Sequence, residues 1–446
     1  MTRTLALLCR LLAAMVAAAP AAVGQPSAPL HSTLRALTAD AADPALAAPG
    51  VAVAMVDRRG RVSARAAGCA RFAPDGRTCG RAMTAYTLVR IASISKLVMA
   101  LTAVQLADAG RLDLDQDVSQ ALGFPLHHPA YPGQAIMLRR LLSHTAGLSD
   151  AAGYAIPVGH ALADYLVPGA AQYDDRRFAS AAPGARYAYA NLGSPIVAQT
   201  LEGVSGTRFD RLARARVLAP LGIDAGYNFA GIVDRDQPVA TLYRKRTEKG
   251  VWRPKGPWVP QLDDRQAMPA RPLVYTGEGF APLAADAGEA AAPGVNGGLF
   301  APQGGLRLSV AQLARLGPLF MDHAGGDRPP DLVAAARAMA QPHWLHKTRG
   351  PPGTVTDGVI FGYGMGLQLG TGRAADSPLS DERLRWVGHL GWAYGLVSGL
   401  IVQPQEGWAV AYAVTGTAAA YTGDGFTPVE RAVLDAAIAT VRARKD

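Results

Sequence analysis

A serine and a lysine three residues apart are the residues of this chain whose types and spacing most directly indicate chemistry. Ser93 and Lys96 lie in an apolar run, residues 91–101, with the composition of a buried helix. At 3.6 residues per turn, positions three apart share one helix face, so the two side chains can meet. Burial beside Ile94 and Leu97 would lower the pKa of the lysine, and a neutral amine can take a proton from a serine hydroxyl. The alternative is a structural helix start.

The use of lysine at this position is informative, because the chain otherwise favours arginine as its positive charge. Of 44 basic residues, six are lysine and 38 are arginine. Arginine stays protonated and cannot serve as a general base, whereas a buried lysine can. Lys96 is therefore a candidate base for Ser93.

Two later stretches carry polar groups that can complete a site around this serine. Tyr189 and Asn191 offer a phenol that can relay protons and an amide that can hydrogen-bond a substrate carbonyl. His389 and Gly391 lie on a predicted strand, where glycine permits close approach of another backbone and histidine can donate to an oxyanion or a substrate carboxylate. Taken singly, a packed loop tyrosine and a structural strand histidine are the alternative interpretations.

Apolar patterns predict strands near both chain ends and a mostly helical middle. The predicted strands are 51–57, 61–64, 386–390, 399–403 and 408–415. The predicted helices, besides the one that carries Ser93, are 31–47, 137–143, 194–202, 310–320 and a C-terminal helix. The C-terminal helix has Thr427 as N-cap, Pro428 at its first position and Glu430 closing a capping box. We therefore expect an α/β domain interrupted by a long insertion.

In their order and residue types, these motifs resemble those of the penicillin-recognising serine hydrolases, specifically the class C β-lactamase-like branch. That branch includes DD-carboxypeptidases, D-aminopeptidases and family VIII-type esterases. The resemblance lies in Ser93-Ile94-Ser95-Lys96, Tyr189-Ala190-Asn191, His389-Leu390-Gly391 and the stretches 141–148, 183–193, 220–223, 302–309 and 362–367. It extends over about residues 45–440.

The resemblance implies an α+β fold of the β-lactamase/transpeptidase type. Its α/β lobe, with an antiparallel sheet flanked by helices, would comprise about residues 25–115 and 385–446. A mostly helical inserted lobe would comprise about residues 116–384. The site would lie in the cleft between the two lobes.

The resemblance also implies a role for each motif residue. Ser93 would be the acylated nucleophile, with Lys96 and Tyr189 sharing the general base and acid roles. Asn191 would orient the substrate amide. The backbone N–H groups of Ser93 and Trp392, the residue after the third motif, would form the oxyanion hole. No metal or organic cofactor is expected.

The third motif departs from that of true class C β-lactamases, which usually have Lys-Thr-Gly. Histidine at position 389 looks more like the DD-peptidase and esterase members. Leu390 lacks the hydroxyl that would bind the carboxylate of a β-lactam or of D-alanine. Losing a hydrogen bond to a charged group costs roughly 1.5–3 kcal/mol. We therefore expect inefficient β-lactamase activity.

The N-terminal residues 1–24 have the features of a bacterial secretory signal peptide. Arg3 precedes an apolar stretch, and Ala22-Val23-Gly24 is a small-x-small cleavage site. We expect a periplasmic or secreted protein without a transmembrane span.

The two cysteines that follow the signal peptide are Cys69 and Cys79. They flank a Pro-Asp-Gly turn, which suits a disulfide in an oxidising compartment; free buried thiols are the alternative.

Composition argues against a nucleic-acid partner. The net charge is +9, and the densest basic run, at residues 244–249, has no interleaved aromatic residues.

Taken together, the motifs, the resemblance and the N-terminal segment predict an exported serine hydrolase that cleaves a D-amino-acid peptide, a small acyl ester or, weakly, a β-lactam. The alternative is a non-catalytic peptidoglycan-binding or structural envelope protein with the same fold. The sequence does not indicate an oligomeric state.

Overall fold

The structure is a computed structural model that describes residues 30–39, 43–227, 238–245, 253, 255–263, 273–277, 280–282, 292–325, 328–418 and 425–443. The predicted signal peptide at 1–24 and the end of the basic run, from residue 246, lie outside these ranges. Within the described ranges, no helix is both long enough and apolar enough to cross a membrane.

The described residues form ten α-helices and eighteen strands. The helices are α1 (Leu30–Thr38), α2 (Ser95–Asp108), α3 (Ser119–Leu122), α4 (Leu138–Leu142), α5 (Ala163–Leu166), α6 (Gly193–Ser205), α7 (Phe209–Ala213), α8 (Val310–Leu313), α9 (Pro330–Met339) and α10 (Pro428–Arg442). The strands of the largest sheet are β1 (Gly50–Val56), β2 (Val62–Phe72), β3 (Cys79–Ala82), β12 (Trp344–Leu345), β13 (Gly362–Tyr363), β14 (Gln368–Thr371), β15 (Arg385–Ala393), β16 (Leu396–Gln403) and β17 (Trp408–Val414). The remaining short strands are β4 (Val89–Arg90), β5 (His127–His128), β6 (Tyr131–Ala135), β7 (Leu242–Arg244), β8 (Val259–Leu262), β9 (Leu273–Tyr275), β10 (Phe280–Pro282), β11 (Arg307–Leu308) and β18 (Gly416–Thr417).

The largest sheet is antiparallel and joins the two ends of the chain. Its strand order among the described residues is β12-β13-β14-β15-β16-β17-β1-β2-β3. The N-terminal hairpin β1–β2 pairs through β1 with β17, which belongs to the C-terminal strands. The two predicted N-terminal strands and the three predicted C-terminal strands are thus confirmed.

The central strands are apolar on both sides because both faces of the sheet are covered. In β1, Val51 and Val53 pack into the layer that contains α1 and α10. Ala52 and Ala54 lie on the opposite face, which is covered by α8 and the 3₁₀ turns Ala314–Phe320. This sandwich of helices around an antiparallel sheet confirms the expected α+β class.

The sheet also extends into the segment that was expected to form the helical insertion, residues 116–384. Strands β12, β13 and β14 belong to it, and α8 packs on its face. Two of these strands are only two residues long, too short to give a periodic apolar pattern. The helices α3, α4, α6 and α7 also lie in this segment; α6 and α7 pack against α2, and α3 and α4 pack against α6.

The predicted disulfide is confirmed. Cys69 and Cys79 are bonded, and they link β2 to β3 across the turn that contains Pro74, Asp75 and Gly76. The bond holds this edge of the sheet.

The C-terminal helix α10 begins at the predicted capping box. The Thr427 hydroxyl accepts from Glu430 N at 3.3 Å, and the Glu430 carboxylate accepts from Thr427 N at 2.9 Å. The same carboxylate, fully buried, accepts from the Tyr412 hydroxyl of β17 at 2.7 Å. The cap therefore connects the helix to the sheet that it covers.

Replacing Thr427 with alanine is expected to lower the free energy of unfolding by about 1 kcal/mol, the usual cost of losing an N-cap side chain. Urea denaturation of the wild type and of Thr427→Ala measures this difference. The control is Thr440→Ala, since the Thr440 hydroxyl only bonds back to Ala436 O within the same helix. An equal decrease in the free energy of unfolding in both variants would show that the N-cap contributes no more than a hydroxyl bond within the helix.

Candidate active site

Ser93 lies in a tight turn that leads into α2. The turn Ala92–Ile94 is 3₁₀, and α2 proper begins at Ser95. Ala92 has φ +48°, a left-handed conformation that costs energy for a residue with a Cβ and often marks a functional site. The Ser95 hydroxyl fixes the turn, since it donates to Ala92 O at 2.7 Å and accepts from Leu306 N at 3.1 Å.

Gly391 allows β15 to lie directly against this turn. A Cβ at position 391 would come within 2.5 Å of Ile91 O and 3.2 Å of Ala92 Cβ. The Ser398 hydroxyl of β16 lies 3.2 Å from both Ile91 O and Gly391 O, so it can bridge strand and turn. The predicted close approach at this glycine is therefore observed.

The Lys96 amine lies at the centre of the site and contacts three oxygen atoms. Its Nζ is 3.1 Å from Ser93 Oγ, 2.8 Å from Asn191 Oδ1 and 3.0 Å from Gln303 O. The two carbonyl oxygens can only accept hydrogen bonds, so they take two N–H groups. In the neutral amine, the remaining lone pair then faces the Ser93 hydroxyl, which is the geometry a general base requires.

The interior position of Lys96 favours this neutral amine. Burial lowers the pKa of Lys96 from 10.5 to about 7, because the ammonium loses its hydration; the negative charge of Asp150 acts in the opposite direction. Only 1% of the residue is exposed. A substantial fraction of the lysine is therefore unprotonated at neutral pH.

Tyr189 completes the group around the serine. Its phenol interacts with the Ser93 side chain, and its ring centre lies 5.0 Å from Lys96 Nζ. Burial raises the pKa of Tyr189 far above its ordinary value, and the interaction with Ser93 only partly opposes this. The phenol is thus protonated at neutral pH and can donate a proton, whereas Lys96 is the group poised to accept one.

Asp150 is a site residue that the sequence analysis missed. Its carboxylate accepts from Asn191 N at 2.8 Å, Asn191 Nδ2 at 2.9 Å and Leu192 N at 3.0 Å. Because the amide nitrogen of Asn191 is held in this way, its Oδ1 must face Lys96. The only available signal was its position just after the stretch 141–148, which carried part of the resemblance.

His389 is near the site but is engaged by protein groups. Its Nδ1 lies 2.6 Å from Leu390 O, an acceptor only, so this nitrogen carries the proton. Its Nε2 then accepts from the Tyr363 hydroxyl at 2.9 Å. Burial, aided by the charge of Lys96, lowers the pKa of His389 to about 3, so the ring is neutral. A contact between His389 and substrate would require one of these bonds to be exchanged.

The backbone of β15 supports the expected oxyanion position at Trp392. The pairing of β14 with β15 ends at Gly388, and Leu390 N donates to the Gln368 side chain of β14 at 3.1 Å. Since N–H directions alternate along a strand, the N–H of Trp392 points to the same side, beyond the end of β14. There it borders the cleft.

The cleft in front of Ser93 has a volume of about 570 Å³. Ser93, Asn191 and Trp392 are among its lining residues. The Leu390 side chain instead packs in the core beneath α10 and does not line the cleft. Among the described residues, no cluster of histidine, cysteine, aspartate and glutamate is arranged to hold a metal ion.

The family comparison gives one match that extends over most of the chain. The sequence profile of the Beta-lactamase family matches residues 35–428. The chain is 32% identical over 141 residues to the D-alanyl-D-alanine-carboxypeptidase/endopeptidase AmpH of Escherichia coli, covering 31% of this chain and 36% of that protein. It is also 32% identical over 194 residues to esterase EstB of Burkholderia gladioli, covering 40% of this chain and 46% of that protein. The matches thus span between about a third and a half of these relatives.

Solved structures share the fold over nearly the full length. The D-amino acid amidase from Ochrobactrum anthropi SV3 has a TM-score of 0.59 at 18% sequence identity. The superposition covers 93% of this chain and 98% of that one. At this identity, the similarity shows the fold alone.

Replacing Asp150 with asparagine is expected to lower hydrolysis by roughly tenfold or more, since a hydrogen bond to a charged acceptor is worth about 1.5–3 kcal/mol. The variant also removes a negative charge that raises the pKa of Lys96. The pH–activity profile should therefore move toward lower pH. Steady-state kinetics on a 4-nitrophenyl ester from pH 5 to 9 measures both effects.

The matched control is Asp435→Asn, because the Asp435 carboxylate lies on α10, where it accepts from Ser380 N at 3.0 Å, and does not line the cleft. Its activity and pH profile should equal those of the wild type. A loss of activity in Asp150→Asn without any movement of the profile would contradict the proposed coupling to Lys96.

Proposed function

The chain belongs to the β-lactamase family, and on that premise we propose that it is an exported serine hydrolase that cleaves an ester or amide through an acyl-enzyme on Ser93. The observation that carries the proposal is the Lys96 amine, 3.1 Å from Ser93 Oγ and fixed by two carbonyl acceptors. A buried lysine in a purely structural role would have no need of a serine hydroxyl as its third neighbour.

In the first step, Ser93 Oγ attacks the substrate carbonyl carbon while its proton passes to Lys96. The carbonyl oxygen becomes an oxyanion that the backbone N–H groups of Ser93 and Trp392 stabilise. The C–O or C–N bond then breaks, and the leaving group takes a proton from the Tyr189 phenol, which recovers one from Lys96. Water then attacks the carbonyl carbon of the acyl-enzyme, and its proton passes through the Tyr189 phenol to Lys96. Lys96 returns a proton to Ser93 Oγ as the acyl–oxygen bond breaks, which releases the acid and restores Ser93.

For the substrate, we propose short D-amino-acid peptides or small acyl esters ahead of β-lactams. The relatives include a D-alanyl-D-alanine-carboxypeptidase and an esterase by name. Asn191 presents its Oδ1 to Lys96 and its Nδ2 to Asp150, so it holds the base as well as lining the cleft. Leu390 offers no hydroxyl to a carboxylate at the third motif.

The proposed export is supported by the disulfide between Cys69 and Cys79, since such bonds persist in oxidising compartments. It agrees with the signal peptide predicted at residues 1–24. We propose that the mature protein works in the periplasm or outside the cell.

A fluorophosphonate probe should add once to the mature protein, on Ser93. Intact-mass spectrometry should find one adduct on the wild type and none on Ser93→Ala. Ester hydrolysis by Ser93→Ala should fall by roughly 10³-fold or more, since the nucleophile is lost. The control Ser205→Ala, at the end of α6, should react fully. Absence of an adduct on folded wild-type protein would favour a non-catalytic, peptidoglycan-binding role.

The pH dependence of kcat/KM should report Lys96. Because the neutral amine is the active form, activity should rise with pH through about 7, the pKa that burial gives this lysine, and then level off. Lys96→Arg should lose roughly 10²- to 10⁴-fold, since the guanidinium stays protonated. The exposed Lys347→Arg is the control. An unaltered profile in Lys96→Arg would exclude Lys96 as the base.

A further inference from the structure

We propose that His144 is a positioning residue, which holds the Tyr189 phenol where it can give a proton to the leaving group. The inference rests on the function proposed above, in which Tyr189 is the proton donor. His144 belongs to the stretch 141–148, which has no role so far in the reaction. The structure packs it against Tyr189 through backbone and side chain together.

His144 holds the backbone on both sides of Tyr189. Its carbonyl oxygen accepts from Ala188 N at 2.9 Å. Its ring Nδ1 accepts from Ala190 N at 3.3 Å. A single residue thus fixes the two neighbours of the phenol, and a change at position 144 acts directly on the segment that carries Tyr189.

The backbone of His144 is itself in an unusual conformation. Its φ is +54°, in the left-handed region that a residue with a Cβ adopts at some cost. Such strain persists only where the surrounding contacts impose it, and it is concentrated at functional sites. Here the surrounding contacts are the two hydrogen bonds to the segment 188–190.

The imidazole also packs on the ring of Tyr189. The two ring centres are 4.2 Å apart, and the ring planes are inclined by 33°. Tyr363 lies against both, with its ring centre 4.9 Å from that of His144 and 6.2 Å from that of Tyr189. The Tyr363 hydroxyl is held in turn by His389 Nε2. Packed rings of this kind restrict the tilt of the phenol.

The electrostatics of His144 fit a positioning role and not that of a proton donor. Only 7% of the residue is exposed. Burial and the charge of Lys96 hold the pKa of His144 well below its usual range, so the ring is neutral. Because Nδ1 accepts from Ala190 N, the single ring proton lies on Nε2. The proton for the leaving group is thus left to Tyr189.

The position of the phenol matters most for leaving groups that need a proton. The 4-nitrophenolate ion is weakly basic and departs without one, whereas phenolate is more basic and departs faster when a donor is in place. A displacement of about 1 Å in a reacting group can cost roughly 10²-fold in rate. A misplaced Tyr189 should therefore slow phenyl acetate more than 4-nitrophenyl acetate, whereas a general loss of folded protein slows both equally.

The ratio of kcat/KM for 4-nitrophenyl acetate to that for phenyl acetate tests the inference. Tyr189→Phe, which removes the phenol, should raise this ratio roughly 10-fold or more. His144→Asn should raise it in the same direction, because the ring contact is lost. Asparagine tolerates positive φ, and its side-chain oxygen can still accept from Ala190 N. If His144→Asn does not fold, His144→Gly, which is unstrained at this φ, takes its place.

The matched control is His128→Asn. His128 is also a buried histidine whose Nδ1 accepts from a backbone N–H, that of Ala130 at 3.2 Å. Its ring packs on Tyr131 and Phe178 and not on Tyr189. His128→Asn should keep the wild-type ratio even if its midpoint of thermal unfolding falls. An equal rise of the ratio in this control would overturn the specific role of His144.

The outcomes separate this inference from the function on which it rests. Turnover of both esters with an unchanged ratio in the His144 variant, but a raised ratio in Tyr189→Phe, would overturn the inference alone. An unchanged ratio in Tyr189→Phe as well would overturn the donor role of Tyr189 and, with it, that of His144. Absence of turnover and of a fluorophosphonate adduct would overturn the hydrolase function itself.

Discussion

The contact on which the site depends is that of the Lys96 amine with three oxygen atoms in a dry interior. Two are carbonyl oxygens, from Asn191 and Gln303, and the third is the Ser93 hydroxyl. Desolvation removes the preference for the ammonium, and the carbonyl acceptors fix the direction of the remaining lone pair. The surroundings serve this arrangement: Asp150 holds the asparagine, and neutral His389 adds no competing positive charge.

The sheet contributes its edge to the same site. Because β14 stops pairing at Gly388, the last residues of β15 border the cleft. Gly391, which has no Cβ, lets this strand touch the turn that carries the serine. The nucleophile, the base and the proposed oxyanion N–H groups are therefore positioned by packed backbone and not by mobile loops, which suits a site that must stabilise a short-lived charge.

Local sequence was sufficient for the residues that act through their own motif. Type and spacing made Ser93 and Lys96 candidates, because they share a helix face. The roles of Tyr189 and Asn191, which share one short stretch, came from the family resemblance. Contacts made across the chain had no such signature. Gln303 acts through its backbone carbonyl, which any residue type possesses. Tyr363 forms a hydrogen bond to a ring nitrogen of His389, which lies 26 positions further along the chain. Strands of two residues, such as β12, likewise leave no periodic pattern.

The wide separation of the site residues along the chain has a kinetic consequence. The bond from Lys96 to Gln303 spans 207 positions, and Ser398 joins Ile91 across 307. Contacts between such distant residues form late, because the loops they close must first be ordered. Catalytic competence should therefore be among the last properties to return on refolding, after helix content has recovered. It would then serve as a sensitive reporter of whether the two ends of the chain have met.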